Sequence, residues 1–213
     1  MKTAFKILEK YCDTYHEDDS KIQFLSGNRI WTVFYLKSFL DTKDILELDR
    51  IKKGMDKELF PDGAVFEKLL KKLDEETKYY ECKVDVKLLK RTLEFLSKIT
   101  YNACITFVLN RDGALYVVYT DGHEDIVKLR VGETLEHHKV PEERIKIGCS
   151  IDEMLRILKV MGDYDLTFSI PEKLSPIMGM NGHRGFAIAP RVEEWGVMSC
   201  DNISRPERCV WNI

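Results

Sequence analysis

A unit of one strand, one helix and three further strands occurs twice in succession between residues 79 and 190. A tandem repeat of this kind restricts the possible folds more than any single segment does. In the first copy, "ECKV" reads as a strand and Asp85 as the N-cap of a helix running to about Ile99. The runs "ACITFVLN", "ALYVVYT" and "DIVKLRV" then read as strands separated by turns at Arg111-Asp112-Gly113 and Asp121-Gly122. In the second copy, "RIKIGC" is the leading strand and Ser150 caps a helix through about Met161, with Glu153 completing an S-x-x-E capping box. The runs "DLTFSI", "SPIMGM" and "RGFAIAP" supply its three strands. The two caps stand 65 residues apart, and at that offset Val86 meets Ile151, Leu89 meets Met154, Arg91 meets Arg156, Leu93 meets Leu158 and Leu96 meets Met161. Two such helices on one face of antiparallel sheets predict an α+β fold.

The N-terminal part departs from the repeat. Ala4, Ile7, Leu8, Tyr11, Cys12 and Tyr15 are spaced for an amphipathic helix over 4–16 with Thr3 as its cap. The runs "KIQFLSG" and "RIWTVFYLK" around Gly27-Asn28 read as a hairpin. From Asp41 to Lys78 the chain is charge-dense and helical, with a second apolar stripe of Val65, Phe66, Leu69, Leu70 and Leu73 over 64–77. The expected division is therefore 1–78, a divergent helical and hairpin region; 79–195, the repeated domain; and 196–213, a tail.

With 213 residues, 44% of them hydrophobic, the chain can bury a substantial core. A formal net charge of −3 excludes a globally basic nucleic-acid binder, although a basic strip balanced by acids elsewhere is compatible with it. No apolar run approaches the roughly 18 residues that a membrane helix needs. The start "MKTAFKILEKYCDTYHEDD" carries acids where a signal peptide is apolar, which predicts a cytoplasmic protein without a membrane contact. Cys12, Cys82, Cys104, Cys149, Cys200 and Cys209 form no CxxC, so reduced structural thiols are expected rather than a disulfide framework or a zinc site. His137-His138, near Glu133, Glu136 and Glu142, reads as a solvated loop, since adjacent residues do not readily chelate one ion. His183 follows Asn181-Gly182 in a turn, and no serine or cysteine stands in a nucleophile elbow. No metal or other cofactor is expected. For Cys200 and Cys209, which flank "DNISRPER" between Trp195 and Trp211, a folded-back strand edge, a redox pair and a docking segment all remain open.

A β-α-β-β-β unit repeated in tandem and ending in a strand that runs into "AIAPRVEE" resembles the DNA sliding clamps. These are the bacterial polymerase III β clamp, the proliferating cell nuclear antigen of eukaryotes and archaea, and the trimeric phage clamps. The resemblance covers about residues 79–195 and leaves 1–78 as either a degenerate clamp domain or something unrelated. It implies a non-enzymatic processivity factor that encircles duplex DNA as a ring-forming homo-oligomer and recruits a polymerase or another replication factor through a docked peptide. By the same resemblance, Ala189 and Pro190 belong to the docking groove. On the residues alone, the proline is simply a strand terminator, because it cannot continue a ladder.

Loose enclosure of a polyanion needs lysines and arginines along helices that face it, because phosphate contacts are independent of base sequence. On the helix that follows Asp85, Lys87, Lys90, Arg91 and Lys98 share one face with a single acid, Glu94. On the helix after Ser150, Arg156 and Lys159 share theirs with Asp152 and Glu153. Lys6, Lys10, Lys68, Lys71 and Lys72 would extend the strip. Two other readings compete with the clamp: an α+β interaction module that does not encircle DNA, and a small hydrolase built on His183 or on the His137-His138 loop.

Overall fold

Residues 2–57, 78–100, 104–120, 125–136, 140–172 and 175–191 are described by a computed structural model. The chain begins with α1 (Lys2–Tyr11), followed by β1 (Cys12–Glu17), β2 (Lys21–Ser26) and β3 (Trp31–Leu36). The first helix is shorter than its periodicity suggests. From Cys12 onward the backbone pairs antiparallel with β2, and buried Cys12 and Thr14 alternate with exposed Asp13. The ladder and the burial it brings outweigh local helical spacing. A single turn at Lys37–Phe39 leads into α2 (Thr42–Lys52), where the Asp41 carboxylate accepts from the Asp44 N–H. β4 (Asp56–Lys57) then runs parallel to β1. The helix expected over 64–77, with Lys68, Lys71 and Lys72, lies outside the described residues.

The tandem units follow as the sequence predicts. The first is β5 (Tyr79–Val84), α3 (Val86–Ile99), β6 (Cys104–Leu109), β7 (Ala114–Thr120) and β8 (Asp125–Thr134). The second is β9 (Ile145–Ser150), α4 (Ile151–Met161), β10 (Leu166–Pro171), β11 (Ile177–Met180) and β12 (Arg184–Ile188). The N-terminal part repeats the same order, a helix and three antiparallel strands, without the leading strand.

Among the described residues the strands belong to one 12-stranded sheet in the order β4-β1-β2-β3-β12-β11-β10-β5-β8-β7-β6-β9. The two units interlock, because β5 of the first pairs with β10 of the second while β9 of the second pairs with β6 of the first. The N-terminal hairpin joins through β3 and β12, where Phe186 faces Val33 and Gly185 faces Phe34. α4 packs between α1 and α3. Leu8, Leu89, Leu93, Met154 and Leu158 of these helices close over Phe24, Val33, Phe107, Phe168 and Phe186 of the sheet in a single core. Each fully buried aliphatic or aromatic side chain contributes on the order of 2 kcal/mol. Phe107, Phe168 and Phe186 meet edge to face, with centroids 5.9 and 5.3 Å apart, so the core runs unbroken from one unit into the other. Among the described residues no helix is long and apolar enough to cross a membrane.

The β3–β12 seam depends on a glycine. A Cβ on Gly185 would fall inside the Phe34 ring and close to the Gly179 carbonyl. Gly185→Val is therefore expected to push β12 from β3 and to destabilise the protein by about 2 kcal/mol or more. A lower urea midpoint with an unchanged slope checks this, and an unaltered midpoint would show that the seam tolerates a side chain.

Candidate nucleic-acid interface

On α3, the Asp85 carboxylate accepts from the Leu88 N–H at 2.9 Å and fixes the helix start. Val86, Leu89, Leu93 and Leu96 are buried against the sheet, which turns Lys87, Arg91 and Lys98 to the exposed side. None of these three cations has an ion-pair partner among the described residues. Lys90 differs, because its ammonium lies 3.0 Å from Asp163 and ties α3 to the loop after α4. Glu94 is half-buried on the same helix.

Lys159 on α4 is exposed, whereas Arg156 is held in place. The Arg156 Nη1 donates to Glu153 Oε1 at 2.7 Å, and the guanidinium lies 4.1 Å from the centroid of the Tyr11 ring on α1. α1 adds exposed Lys6 and Lys10. Its one acid, Glu9, is drawn toward α2 by Arg50 at 2.8 Å, and that hydrogen bond holds the carboxyl below its usual value. The solvent side of the α1–α4–α3 layer thus presents Lys6, Lys10, Lys159, Lys87, Arg91 and Lys98 against Asp152 and Glu94. This is a cationic strip with little fixed pairing. Such a strip can exchange phosphate contacts without gripping bases.

Glu153 does more than complete a capping box. Its N–H lies 3.5 Å from the Ser150 hydroxyl, while its buried carboxylate reaches across to the N-terminal hairpin. There it accepts from Trp31 Nε1 at 2.5 Å and Asn28 Nδ2 at 2.9 Å, in addition to Arg156. The capping-box spacing explained an acid at this position, but only the packing of distant segments aims it at Trp31.

Ala189 and Pro190 are buried, and the Ala189 N–H donates to the Ile30 carbonyl at 2.8 Å. The open apolar groove expected at these two side chains is therefore not found at them. The next residue, Arg191, donates its N–H to Gly148 of β9, so the end of the last strand is stitched to the rest of the sheet. A separate apolar cluster of Phe34, Met178 and Ala187, with Leu36 and Tyr79 against it, lies on the sheet face away from the helices. Met180, 44% exposed, continues that face two residues beyond Met178. The β-branched and aromatic run "WTVFYL", with no apolar–polar alternation, was its signal in the sequence, since a strand buried on both faces does not alternate.

The His183 ring is exposed and lies against Phe39 at a centroid distance of 4.7 Å. His137, His138, Cys200, Cys209 and the tail tryptophans fall outside the described residues. Among the described residues no cluster of three or more His, Cys, Asp or Glu is arranged to hold a metal. Cys12, Cys82, Cys104 and Cys149 are in no disulfide, and burial pushes the Cys82 thiol up to about 12.

No protein-family model and no curated protein sequence matches the chain. Solved structures do match. The Helicobacter pylori β clamp in complex with 5-chloroisatin superposes with a TM-score of 0.56 at 12% identity, over 90% of this chain and 63% of that one. The Pseudomonas aeruginosa DNA polymerase sliding clamp gives 0.56 at 11% identity, over 90% and 65%. PCNA from Thermococcus kodakaraensis gives 0.55 at 13% identity, over 89% of this chain and 96% of that one. The chain spans less than two thirds of the bacterial clamps and nearly the whole length of the archaeal one. Its fold is that of the sliding clamps.

Proposed function

We propose that the chain is a non-enzymatic, sliding-clamp-like processivity factor that holds duplex DNA against the α1–α4–α3 layer. The observation that carries this reading is the cationic strip of Lys6, Lys10, Lys159, Lys87, Arg91 and Lys98 on a clamp fold, with the neighbouring Glu9 neutralised by Arg50. Contacts of this kind are electrostatic and blind to sequence. Association with duplexes of unrelated sequence should therefore be equally strong and should weaken linearly on a log–log plot against salt. Fluorescence anisotropy of labelled duplexes across a salt series tests this. Absence of association at about 50 mM salt, where phosphate contacts are strongest, would sink the reading.

Recruitment of a polymerase or another replication factor by a docked peptide belongs to the same proposal. One matched structure is a Helicobacter pylori β clamp bound to a DNA ligase peptide. With Ala189 and Pro190 buried in this chain, exposed Met180 beside Met178 and Leu36 is the apolar surface that such a peptide would meet, on the face away from the DNA-holding helices. Enclosure of DNA takes more than one chain, and the ring of copies expected from the sequence is one way to supply it.

A further inference from the structure

Between α4 and β10 the chain reads Gly162-Asp163-Tyr164-Asp165, an aromatic residue between two acids. Gly162 closes α4 with φ +81°, and a Cβ there would stand 3.3 Å from the Tyr164 ring. The glycine leaves the ring room at the helix end, where the Arg184 guanidinium lies 5.8 Å from its centroid. The ring is 54% exposed and lines a cavity of about 550 Å³. Sites for small ligands span about 300–1,000 Å³. Lys83 of β5, Lys87 of α3 and Asp165 line the same cavity, and all three are exposed.

The other charges of the lining are engaged. Asp85 accepts from the Leu88 N–H, Asp163 pairs with Lys90 at 3.0 Å, and Arg130 pairs with Glu133 at 2.6 Å. Lys83, Lys87 and Asp165 have no ion-pair partner among the described residues. A simple anion would be repelled by Asp165, and a metal cation by two ammonium groups. An amino acid carries both of its charges on one carbon, whereas the cations here stand on β5 and α3 and the acid on the loop after α4. A flat ring with hydrogen-bond donors on one edge and an anionic group at the far end satisfies all four side chains. Nucleotides have that form, because bases stack on tyrosine and phosphates pair with lysine. Among the bases guanine presents two adjacent donors, N1–H and N2–H, which match the two oxygens of one carboxylate. Adenine and cytosine offer only an amino group, and uracil only N3–H.

We propose that this cavity is a guanine-nucleotide site. The base stacks on Tyr164 and donates N1–H and N2–H to the Asp165 carboxylate, while the phosphate lies between the Lys83 and Lys87 ammonium groups. The same chemistry serves a free nucleotide or an unpaired guanine of a single strand.

Calorimetric titration of the whole protein with GMP, AMP and UMP tests the assignment, with GMP expected to bind about tenfold more tightly than the other two. Tyr164→Ala should weaken all three about tenfold, and Tyr164→Phe should keep parental affinity. Asp165→Asn should remove the guanine preference and leave AMP binding in place. Lys83→Gln should weaken GMP but not guanosine. Lys83 is the cleaner probe of the phosphate end, because Lys87 also belongs to the cationic strip. A single-stranded oligonucleotide of about four guanines separates the two sources. Binding tighter than that of GMP assigns the cavity to a strand, and equal or weaker binding assigns it to the free nucleotide. Equal affinity for GMP, AMP and UMP, GMP binding unaltered by Tyr164→Ala, tryptophan bound as tightly as GMP, or no GMP binding at millimolar concentration would overturn the proposal. Absence of duplex association with the guanine preference intact would overturn the DNA reading and leave the cavity assignment standing.

Discussion

Glu153→Ala is expected to lower the stability of the protein by about 3–5 kcal/mol, the largest effect of any single side-chain truncation proposed here. The carboxylate is buried at 6% exposure and serves three donors at once: Trp31 Nε1, Asn28 Nδ2 and Arg156 Nη1. Removing it takes the shared acceptor from a buried indole N–H and a partly buried guanidinium, and such orphaned donors cost more than the net worth of the bonds they lose. Because Trp31 and Glu153 come from segments that meet only in the folded chain, the loss should fall on the docking of the N-terminal hairpin against α4. The midpoint of thermal unfolding should drop by about 10 °C. Glu153→Gln, which keeps an acceptor oxygen and the shape, should lose less. In a Trp31→Phe background Glu153→Ala should lose less again, the difference giving the coupling between the two residues. A loss below about 1 kcal/mol would mean that water or a neighbour replaces the carboxylate.

Reversing two cations of the helical strip, Lys87→Glu with Arg91→Glu, should weaken duplex association roughly a hundredfold at about 0.1 M salt and reduce the log–log salt slope by about two. Both side chains are exposed and neither holds an ion pair among the described residues, so folding should be unchanged and the effect should appear in binding alone. Lys90 and Arg156 are poorer probes. The first is engaged by Asp163 and the second by Glu153 and Tyr11, so their replacement would disturb the α3 and α4 anchors along with any phosphate contact. A double variant with parental affinity and slope would remove α3 from the DNA surface.

The repeated units were legible almost residue for residue. Asp85 and Ser150 cap their helices because each stands directly before an apolar run at helical spacing, and the strands of both units are β-branched and aromatic runs bounded by polar turns. Lys87, Arg91 and Lys98 could be placed on one face of α3 for the same reason: a buried stripe at i, i+3 and i+7 leaves the opposite side to solvent. Helical spacing failed at Cys12–Glu17, where a short segment fits either period and the neighbouring strand decided. It also could not show that Lys90 is engaged, since Asp163 reaches it only through the folded chain, whereas the i, i+3 pairing of Glu153 with Arg156 is written in the helix itself.

The sequence by itself determined the repeat, its α+β class and the polar face of each helix, because helix caps, turn residues and hydrophobic periodicity act over a few residues and are written in the order of the chain. The tertiary structure alone decided that β3 closes onto β12, that α1 lies beside α4, and that Ala189 and Pro190 are buried. Those outcomes depend on which distant strands compete for the same backbone donors and acceptors and which side chains fill the same volume. That competition is settled only when all the strands are present in one sheet.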